Sequence, residues 1–267
     1  MRTLKELMAM EGRVALITGG TGHIGRVMAE ALAELGSGIV LVDRQETELA
    51  HFATNLAETW KVPVWTKAID LEEEVARSQL CAMVGDKIGR LDVLVNNAAF
   101  VGDNQIGGWV TSFNEQSVET WRRALEVNLT AVFHLCQIFA PLLKEKGNGS
   151  ILNIGSIYGV AGPDLSLYAG TNMGNPAAYA ASKGGMVQLT RWLATVLAPD
   201  IRVNCISPGG VYRNQPEIFV ERYKTRTPLR RMATEEDFKG CVAYLGSDLS
   251  AYVTGQNILV DGGWTVW

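Results

Sequence analysis

The feature of the sequence that most constrains the fold is a glycine-rich turn near the N-terminus. The pattern Gly20-x-Gly22-x-x-Gly25 lies between the apolar run Val14–Thr18 and a helical pattern over Ile24–Leu35. Glycines at this spacing let the chain turn tightly, approach a pyrophosphate closely and pack the helix against the strand. The N–H groups at a helix N-terminus also attract anions. The pattern predicts a strand–turn–helix unit that binds a dinucleotide, with a purely structural turn as the alternative.

Short apolar runs and longer helical patterns alternate along the rest of the chain. Strands are predicted at Val14–Thr18, Gly38–Asp43, Val62–Ile69, Leu91–Asn96, Ser150–Ser156, Ile201–Ser207 and Asn257–Asp261. Helices are predicted at Ile24–Leu35, Glu72–Ile88, Ser117–Lys146, Ala177–Leu197 and Glu235–Leu245. The alternation predicts an α/β fold with a single doubly wound parallel sheet of the Rossmann type and helices on both faces. Since no linker or repeat divides the chain, we expect one domain over residues 1–267.

Composition and charge argue against several classes of function. The formal net charge is −4 and the sequence has no block of basic residues, so we expect no nucleic-acid partner. No apolar run approaches the length of about 18 residues that a membrane span needs, so we expect no membrane partner. Three histidines and four dispersed cysteines give no metal site, and they indicate reduced thiols in a cytoplasmic protein.

Two stretches interrupt the regular alternation. Residues 100–116 and 159–176 are rich in glycine and have no clear period. Each follows a predicted strand, at the carboxyl edge where doubly wound sheets bind ligands. Long loops in compact domains are commonly functional. We therefore expect both to line a substrate pocket, with ordinary surface loops as the alternative.

An acidic residue ends the second predicted strand. Asp43 lies 18 residues after Gly25, where a carboxylate can accept hydrogen bonds from both ribose hydroxyls of an adenosine and would repel a 2′-phosphate. Asp43 therefore favours NAD over NADP. Arg44 leaves the NADP alternative open, because a guanidinium pairs well with a 2′-phosphate.

With these features in place, the chain resembles the short-chain dehydrogenase/reductase family over nearly its whole length. The family's markers occur in order as the glycine-rich turn, Asp70-Leu71, Asn96-Asn97-Ala98-Ala99, Asn128, Ser156, Tyr179-x-x-x-Lys183, Pro208-Gly209 and Asp261-Gly262-Gly263. The resemblance implies an NAD(P)-dependent oxidoreductase whose catalytic residues are Asn128, Ser156, Tyr179 and Lys183. Together with the turn and Asp43, it assigns cofactor binding to Gly19, Thr21, Gly22, His23, Ile24, Gly25, Asp43, Asp70, Leu71, Asn96, Asn97, Ala98, Tyr179, Lys183, Pro208, Gly209 and Val211. By this resemblance Asp70 and Leu71 would flank the adenine, and Asn96 would lie beside the adenosine ribose.

The spacing of Tyr179 and Lys183 suits acid–base chemistry. They are four residues apart on a predicted helix, so their side chains share one face. A phenol has an ordinary pKa of about 10, too high for a base at neutral pH. We expect the Lys183 ammonium and the positive nicotinamide of an oxidised cofactor to lower the pKa of Tyr179. Tyr179 would then exchange a proton with the substrate oxygen, Ser156 would hydrogen-bond that oxygen, and Asn128 would hold a water that links Lys183 to solvent.

Several positions depart from the family's pattern. Tyr168 is closer to the usual spacing from Ser156, but Asn172 stands where its lysine would be, so we place Tyr168 in the substrate pocket. The spacing of the turn's glycines is more typical of the extended branch of the family, and His23 stands where the short branch usually has glycine. After Pro208-Gly209, Tyr212 and Arg213 replace a threonine that often binds the nicotinamide amide, which leaves the Val211 backbone as the expected contact.

The region over residues 209–231 corresponds to the family's substrate lid and is unusually basic. It contains Lys224 and the arginines Arg213, Arg222, Arg226, Arg230 and Arg231. Guanidinium groups bind carboxylates and phosphates with paired hydrogen bonds. We expect an anionic or highly polar substrate, with Arg213 and Tyr212 near it. A solvated helical face that balances Glu217 and Glu221 is the alternative.

Three functional hypotheses follow. The first is an oxidoreductase that transfers hydride between NAD(H) and a secondary alcohol or ketone, such as a sugar derivative, and the pattern also resembles flagellin-modification and sugar-pathway dehydrogenases. The second is an NADPH-linked 3-oxoacyl-type reductase. The third is a non-catalytic nucleotide-binding sensor, which would have no need for the complete catalytic set. The apolar C-terminal residues Trp264 and Trp267 predict a homo-oligomer, a tetramer or dimer.

Overall fold

A computed structural model of the chain describes residues 1–101 and 106–267. It contains a seven-stranded parallel sheet in the order β3-β2-β1-β4-β5-β6-β7. The strands are β1 Val14–Thr18, β2 Gly38–Asp43, β3 Val64–Ala68, β4 Val93–Asn96, β5 Gly149–Ile154, β6 Ile201–Pro208 and β7 Asn257–Val260. Helices cover both faces, so the prediction of a doubly wound Rossmann-type sheet is confirmed.

The central strands are buried on both faces because they are almost wholly apolar. Every residue of β1, β4 and β5 is buried, as expected for parallel strands that helices cover on two sides. The register places Leu16 of β1 between Val40 of β2 and Leu94 of β4. The chain crosses from β3 on one side of β1 to β4 on the other, and this reversal leaves a crevice at the carboxyl ends of the strands.

The helices form two layers. They are α1 Leu4–Met8, α2 His23–Glu34, α3 Glu46–Trp60, α4 Glu74–Lys87, α5 Val118–Leu125, α6 Ala131–Lys144, α7 Ala177–Leu197, α8 Glu217–Arg226 and α9 Lys239–Gly246. On one face, Leu80, Phe139 and Met186 from α4, α6 and α7 form part of one apolar core. On the other face, Met28 from α2 and Val242 from α9 belong to a second core.

The structure differs from the predicted elements in identifiable places. Strands β1 and β2 have the predicted bounds, whereas the other strands differ from prediction by one or two residues at one or both ends. The helix predicted at Ser117–Lys146 is interrupted by a widened π-helical turn over Glu126–Thr130. Helices α1, α3 and α8 are absent from the prediction. Helices α3 and α8 both bury side chains at helical spacing, such as Leu49 and Phe52 in α3 and Phe219 and Tyr223 in α8, but half of the residues of α8 are charged.

The helical stretch Val118–Lys144 is long and apolar enough to cross a membrane by length and mean hydropathy alone. In the fold, α6 packs Leu135 and Phe139 into the core beside the sheet with no exposed surface. A core helix passes the same test of length and composition. We therefore interpret Val118–Lys144 as part of the helical layer that packs against the sheet.

Phe100, Val101 and Ile106 of the first irregular loop line the crevice, whereas residues 159–176 lie outside its lining. Within the loop predicted at 100–116, residues 102–105 lie outside the described part of the chain. Trp109 of this loop is buried, and its indole N–H donates to the Val101 carbonyl at 2.7 Å. The loop at 159–176 contains a short 3₁₀ turn over Leu165–Tyr168. This turn packs against α8, because Tyr168 and Phe219 bring their rings to a centroid distance of 5.4 Å.

Candidate active site

A cleft of about 630 Å³ opens at the carboxyl edge of the sheet. Its walls include residues that end or directly follow five strands, namely Gly19, Asp43, Asn97, Gly155 and Pro208. These strands lie on both sides of the reversal between β1 and β4. The cleft therefore lies where doubly wound sheets bind their ligands.

The glycine-rich turn has no room for a side chain at two of its positions. A Cβ atom on Gly25 would overlap the carbonyl oxygen of Gly19. Gly19 has a φ of +64°, and a Cβ atom there would lie 2.9 Å from the Cα of Ala98. Both positions require glycine. Gly25 allows the close contact between α2 and the turn, and Gly19 allows the close contact between the turn and the chain after β4.

Asn97 holds this turn in place. Its side-chain nitrogen donates to the carbonyl oxygens of Thr18 and Gly19, each at 3.0 Å. The first residues of α2, His23 and Ile24, then line the cleft. The helix N-terminus, with its free N–H groups, thus opens into the cleft as anion binding requires.

Asp43 lies in the cleft wall and is tied to the turn. One carboxylate oxygen accepts from the backbone N–H of Thr21 at 3.0 Å and from its hydroxyl at 2.7 Å. The other oxygen accepts from the Arg44 backbone N–H at 2.8 Å. Both oxygens line a site that also includes Val42 and the exposed Arg44. The carboxylate is thereby fixed at the end of β2 that is nearest to the phosphate-binding turn.

The opposite end of the cleft holds Ser156, Tyr179 and Lys183. Ser156 follows β5, and the two other residues lie one turn apart on α7. The Ser156 side chain lies close enough to the Tyr179 hydroxyl to lower the pKa of the phenol. The Lys183 ammonium lies 5.7 Å from the centroid of the Tyr179 ring and donates to the Ile154 carbonyl at 2.7 Å. The three side chains predicted to carry the chemistry are therefore brought together.

Burial is the largest cause of the pKa shifts of Lys183 and Tyr179. It lowers the pKa of Lys183 from 10.5 to about 8, because the ammonium has only a carbonyl oxygen as its hydrogen-bond partner. Burial also raises the pKa of Tyr179 in the protein alone, while Ser156 and Arg213 act in the opposite direction. The expectation that Lys183 lowers the pKa of Tyr179 is not met in the chain by itself. The lowering contributions come from the Ser156 hydroxyl and the Arg213 guanidinium instead.

Asn128 lies behind this end of the cleft, in the widened turn of the helix between α5 and α6. It is fully buried, and its Oδ1 accepts from the Phe100 backbone N–H at 2.6 Å. Its Nδ2 donates to the Ser182 hydroxyl at 3.0 Å and to the Phe100 carbonyl at 3.3 Å. These contacts occupy both polar atoms of the side chain. Asn128 thus joins the loop after β4 to α7.

The lid approaches the catalytic end through its first residues. Val211, Arg213 and Gln215 line the cleft. An isolated bridge between Val211 and Ala233 fixes the start of the lid. The Arg213 guanidinium lies 3.6 Å from a carboxylate oxygen of Glu235, and its charge reaches Tyr179 strongly enough to lower the pKa of the phenol.

The other basic residues of the lid have partners elsewhere. Arg222 donates to the carbonyls of Leu167 and Ala169 in the 159–176 loop. The remaining pairs are Arg226 with Asp164, Lys224 with Glu221, Arg231 with Asp237, and Arg230 with the Thr225 carbonyl. Arg213 is the basic lid residue that lines the cleft among the residues described.

A sequence profile of the family described as enoyl-(acyl carrier protein) reductase matches residues 20–265 of this chain. The match covers the turn, the catalytic group and the lid. This chain belongs to the short-chain dehydrogenase/reductase family. Its members are oxidoreductases that use NAD or NADP.

Relatives in this family carry diverse names. A tropinone reductase homolog of Arabidopsis thaliana is 35% identical over 269 residues, which cover 97% of this chain and 94% of the relative. The post-translational flagellin modification protein A of Campylobacter coli is 29% identical, with 96% and 99% covered. The second of these agrees with the resemblance to flagellin-modification proteins that the sequence indicates.

Solved structures of short-chain dehydrogenases superpose over almost the whole chain. One from Leptospira borgpetersenii with bound NAD⁺ has a TM-score of 0.84 and 33% identity, and 99% of this chain and 96% of that chain are covered. A gluconate 5-dehydrogenase from Burkholderia cenocepacia in complex with NADP and tartrate has a TM-score of 0.85 and 28% identity, with 99% and 100% covered. Members of this fold thus hold either dinucleotide.

Most residues predicted to form the site do line the cleft. They are Gly19, Gly22, His23, Ile24, Asp43, Asp70, Leu71, Asn97, Ala98, Ser156, Tyr179, Lys183, Pro208, Gly209, Val211 and Arg213. The predicted residues outside its lining are Thr21, Gly25, Asn96, Asn128, Tyr168 and Tyr212. Of these, Thr21, Gly25 and Asn128 support residues of the wall through the contacts described above.

Three of the outlying residues differ from their expected places. The Asn96 side chain is buried and donates to Asn153 at 2.9 Å, so it points into the core and not toward a ribose. Successive residues of a strand face opposite sides, which gives the next residue, Asn97, the place on the cleft. Tyr168 bonds the Tyr158 hydroxyl at 2.6 Å in the layer behind the cleft wall, and Tyr212 is half exposed.

Sequence reasoning missed several residues of the wall. Phe100 and Val127 line the cleft from the loop after β4 and from the widened turn, and Gln215 lines it from the lid. Glu72 and Arg123 lie in the wall as a pair joined by two hydrogen bonds of 2.8 and 3.0 Å. Phe100 belongs to the 100–116 loop and Gln215 to the lid, which the sequence placed at the pocket, and Glu72 adjoins Asp70-Leu71. Val127 and Arg123 carry no sequence signal of their own.

Proposed function

We propose that this protein transfers a hydride between NAD(H) and a secondary alcohol or ketone of a polar or anionic compound such as a sugar derivative. One observation carries the proposal. A single cleft holds Ser156, Tyr179 and Lys183 at one end and the glycine-rich turn with Asp43 at the other. A dinucleotide needs a phosphate site and a ribose site some distance from the reacting carbon, and the cleft offers both.

The residues at the nucleotide end fit NAD. The side-chain-free surface at Gly19 and the open N-terminus of α2 suit a pyrophosphate. Asp43 offers carboxylate oxygens to ribose hydroxyls, and its negative charge opposes a 2′-phosphate. Arg44 is exposed beyond it. When bound there, the nicotinamide would supply the chemistry of accepting or donating the hydride.

The catalytic residues then manage the proton. In oxidation, the substrate hydroxyl gives its proton to the Tyr179 oxygen as the hydride leaves the carbon, and in reduction the phenol returns it. Ser156 hydrogen-bonds the same substrate oxygen and, in the protein alone, already lies near the Tyr179 hydroxyl. The positive charge of Arg213 favours the phenolate when the tyrosine loses its proton. Lys183 is set in place by the Ile154 carbonyl.

Arg213 supports an anionic substrate. It lies in the cleft wall close enough to influence Tyr179, and its Nε lies 3.6 Å from a Glu235 carboxylate oxygen. A guanidinium can bind a carboxylate or phosphate with its remaining nitrogens. The solved Burkholderia relative contains tartrate, a dicarboxylate, together with NADP. A carboxylate or phosphate on the substrate would thus lie near the reacting oxygen.

The test is a panel of polyols, sugar acids and sugar phosphates with NAD⁺ and, in parallel, NADP⁺, followed by absorbance at about 340 nm. We expect NADH formation with at least one acidic member and weaker use of NADP⁺. Tight binding of NADPH would favour the 3-oxoacyl-type reductase instead, and binding of a nucleotide without turnover of any compound would favour a sensor. Arg213→Ala should raise KM for the acidic compound about tenfold or more. An unchanged KM and kcat would exclude Arg213 from substrate binding.

The proposal extends to the protein's surroundings. All four cysteines are free thiols, which suits a reducing cytoplasm. Trp264, one of the two tryptophans on which the expectation of an oligomer rested, is buried, whereas Trp192 on α7, Phe133 on α6 and Trp267 at the C-terminus expose large apolar surfaces. Such surfaces favour association with a second copy of the chain. Light scattering of the purified protein would give the number of copies, and a monomer would contradict this part.

A further inference from the structure

A single buried arginine joins the nucleotide side of the cleft to the helical turn that carries Asn128. Arg77 lies on α4, and only 2% of its surface is exposed. Its Nη1 donates to the Leu71 carbonyl and, at 2.8 Å, to a carboxylate oxygen of Glu126. Its Nε donates to Nδ1 of His134 at 3.1 Å. One side chain therefore connects α4, the loop after β3, the widened turn and α6.

The partners of Arg77 lie directly behind two walls of the cleft. Leu71 forms part of the wall itself, between Asp70 and Glu72. Glu126 begins the widened turn, whose next residue, Val127, also lines the cleft. His134 lies eight residues after Glu126, on the far side of that turn. Arg77 thus forms hydrogen bonds to one residue before Asn128 in the sequence and to one residue after it.

The chemistry of the three contacts makes this connection specific. A buried guanidinium needs both a compensating charge and hydrogen-bond acceptors, and Glu126, the Leu71 carbonyl and His134 supply them. The fixed fork of the guanidinium sets the distance between the acceptors, which a lysine ammonium cannot do. His134 takes part through a nitrogen that accepts, so that nitrogen carries no proton.

The same loop has a second attachment of a different kind. Arg123 on α5 binds Glu72 with two hydrogen bonds at the surface, and about half of the Arg123 side chain is exposed. Exposed pairs contribute little to stability. Arg77 is therefore the contact that fixes the loop from within the fold.

We propose that Arg77 is a positioning residue that holds the Leu71 wall of the nucleotide site and the turn carrying Asn128 in a fixed relation. This rests on the proposed dinucleotide function of the cleft. A shift of the Leu71 wall alters the space for the adenosine half of the nucleotide. A shift of the widened turn alters the contacts of Asn128 with Phe100 and Ser182, and with them the position of α7. Loss of Arg77 would thus weaken nucleotide binding and slow the reaction together.

The experiment compares Arg77→Lys with Arg202→Lys. Arg202 is a matched control because it is also largely buried and binds carbonyls of Leu245 and Ser247, at the opposite edge of the sheet from the cleft. The probe is ADP-ribose, whose binding is measured by calorimetry at a temperature well below the melting point of each variant. Turnover with NAD⁺ is measured in parallel.

We expect Arg77→Lys to weaken ADP-ribose binding about tenfold and to lower kcat by about as much, since small displacements of a site can cost up to about 100-fold. Arg202→Lys should lower the melting temperature and leave ADP-ribose binding within about twofold. Equal ADP-ribose affinity in wild type and Arg77→Lys would overturn the proposal and show a purely structural role. A wild-type protein that binds no ADP-ribose would instead overturn the proposed function.

A second variant keeps the proposal testable if Arg77→Lys does not fold. Glu126→Gln keeps a side-chain oxygen that can accept from Arg77 but removes the charge. We expect it to fold, to bind ADP-ribose about threefold more weakly and to lower kcat by a similar factor. Retention of both values at the wild-type level would exclude a positioning role for this contact.

Discussion

At the nucleotide end of the cleft, the walls are strand ends and a glycine turn packed at close range, as at Gly19 and Gly25. At the substrate end, the first residues of the lid line the cleft, and behind them pack segments that are far apart in the sequence, namely the turn after β5, α8 and the C-terminal tail. Aromatic rings hold them together: Tyr158 and Tyr223 both pack against Trp264, with centroid distances of 6.0 and 6.2 Å.

The difference indicates that the sheet and its turns determine the nucleotide end of the site, whereas contacts between side chains determine the substrate end. The nucleotide end follows from parallel strands and backbone contacts, so it tolerates few substitutions. The substrate end depends on contacts between surface segments, such as those of Arg222 with two carbonyls of the 159–176 loop. Such contacts can change without disturbing the sheet, which explains how relatives that share the fold carry different names.

The largest effect should come from removing the catalytic hydroxyl. Tyr179→Phe should lower kcat about 100- to 10,000-fold, because it removes the hydroxyl that exchanges the proton with the substrate oxygen. Binding of NAD⁺, measured by calorimetry, should remain within about twofold of wild type. A loss of NAD⁺ affinity as large as the loss of kcat would mean that a change at the catalytic end also disturbs the nucleotide end.

The second effect concerns stability at the catalytic end. Lys183 has a pKa of about 8 in the folded chain and an ordinary value of 10.5, which corresponds to about 3 kcal/mol. Below pH 8 the group is charged in both states, so folding bears the full cost of burying the charge. As the pH rises from 8 to 10.5 this cost disappears, and Lys183 adds stability relative to pH 7.

Lys183→Met tests this linkage. The variant carries no charge there at any pH, so it should be more stable than wild type at pH 7 by up to about 3 kcal/mol. The advantage should shrink toward pH 10.5, as urea unfolding at several pH values would show. Lys5→Met, at an exposed position, is the control and should give no such trend. A constant difference between wild type and Lys183→Met would contradict the assigned burial cost.

At the nucleotide end, Gly25→Ala should be destabilising by about 1–3 kcal/mol, because its Cβ overlaps the carbonyl oxygen of Gly19. NAD⁺ binding should weaken as the turn shifts. Gly162→Ala is the matched control at the substrate end, since a Cβ there meets nothing within 4 Å. Thermal melting and calorimetry measure both variants, and equal behaviour of the two would contradict the tight packing assigned to the turn.

The smallest effect is expected at the substrate end. Tyr168→Phe removes the 2.6 Å hydrogen bond to Tyr158, whose pKa burial raises strongly. The Tyr158 hydroxyl then loses its partner, at a cost of about 1 kcal/mol. NAD⁺ affinity should not change, whereas KM for the substrate should rise. Tyr252→Phe, at a fully exposed position, is the control and should leave stability unchanged. An equal loss of stability in Tyr252→Phe would contradict the contribution assigned to the hydrogen bond between Tyr168 and Tyr158.

The sequence predicted the nucleotide end better than the substrate end for a physical reason. Patterns among residues that are close in the sequence predicted the bounds of β1 and β2, the glycine turn and the pairing of Tyr179 with Lys183. The link from Arg77 to His134 spans 57 residues, and a charged residue has many possible partners at that range. The basic lid shows the same limit, because its charge pattern did not reveal that Arg226 pairs with Asp164.

Asn96 shows how a marker can mislead within a well-predicted region. The motif places Asn96 and Asn97 together, but the alternation of side chains along a strand turns one into the core and the other toward the cleft. The pKa of Tyr179 illustrates a second limit. Its direction depends on burial, which a spacing of residues does not reveal.

The most direct test of the account combines turnover and binding in one pair of proteins. Wild type and Tyr179→Phe are mixed with NAD⁺ and the best alcohol of the panel, and NADH formation is followed at about 340 nm beside calorimetric binding of NAD⁺. The account predicts that both proteins bind NAD⁺ equally and that wild type alone forms NADH at an appreciable rate. Equal rates in the two proteins, or no NAD⁺ binding by wild type, would contradict it.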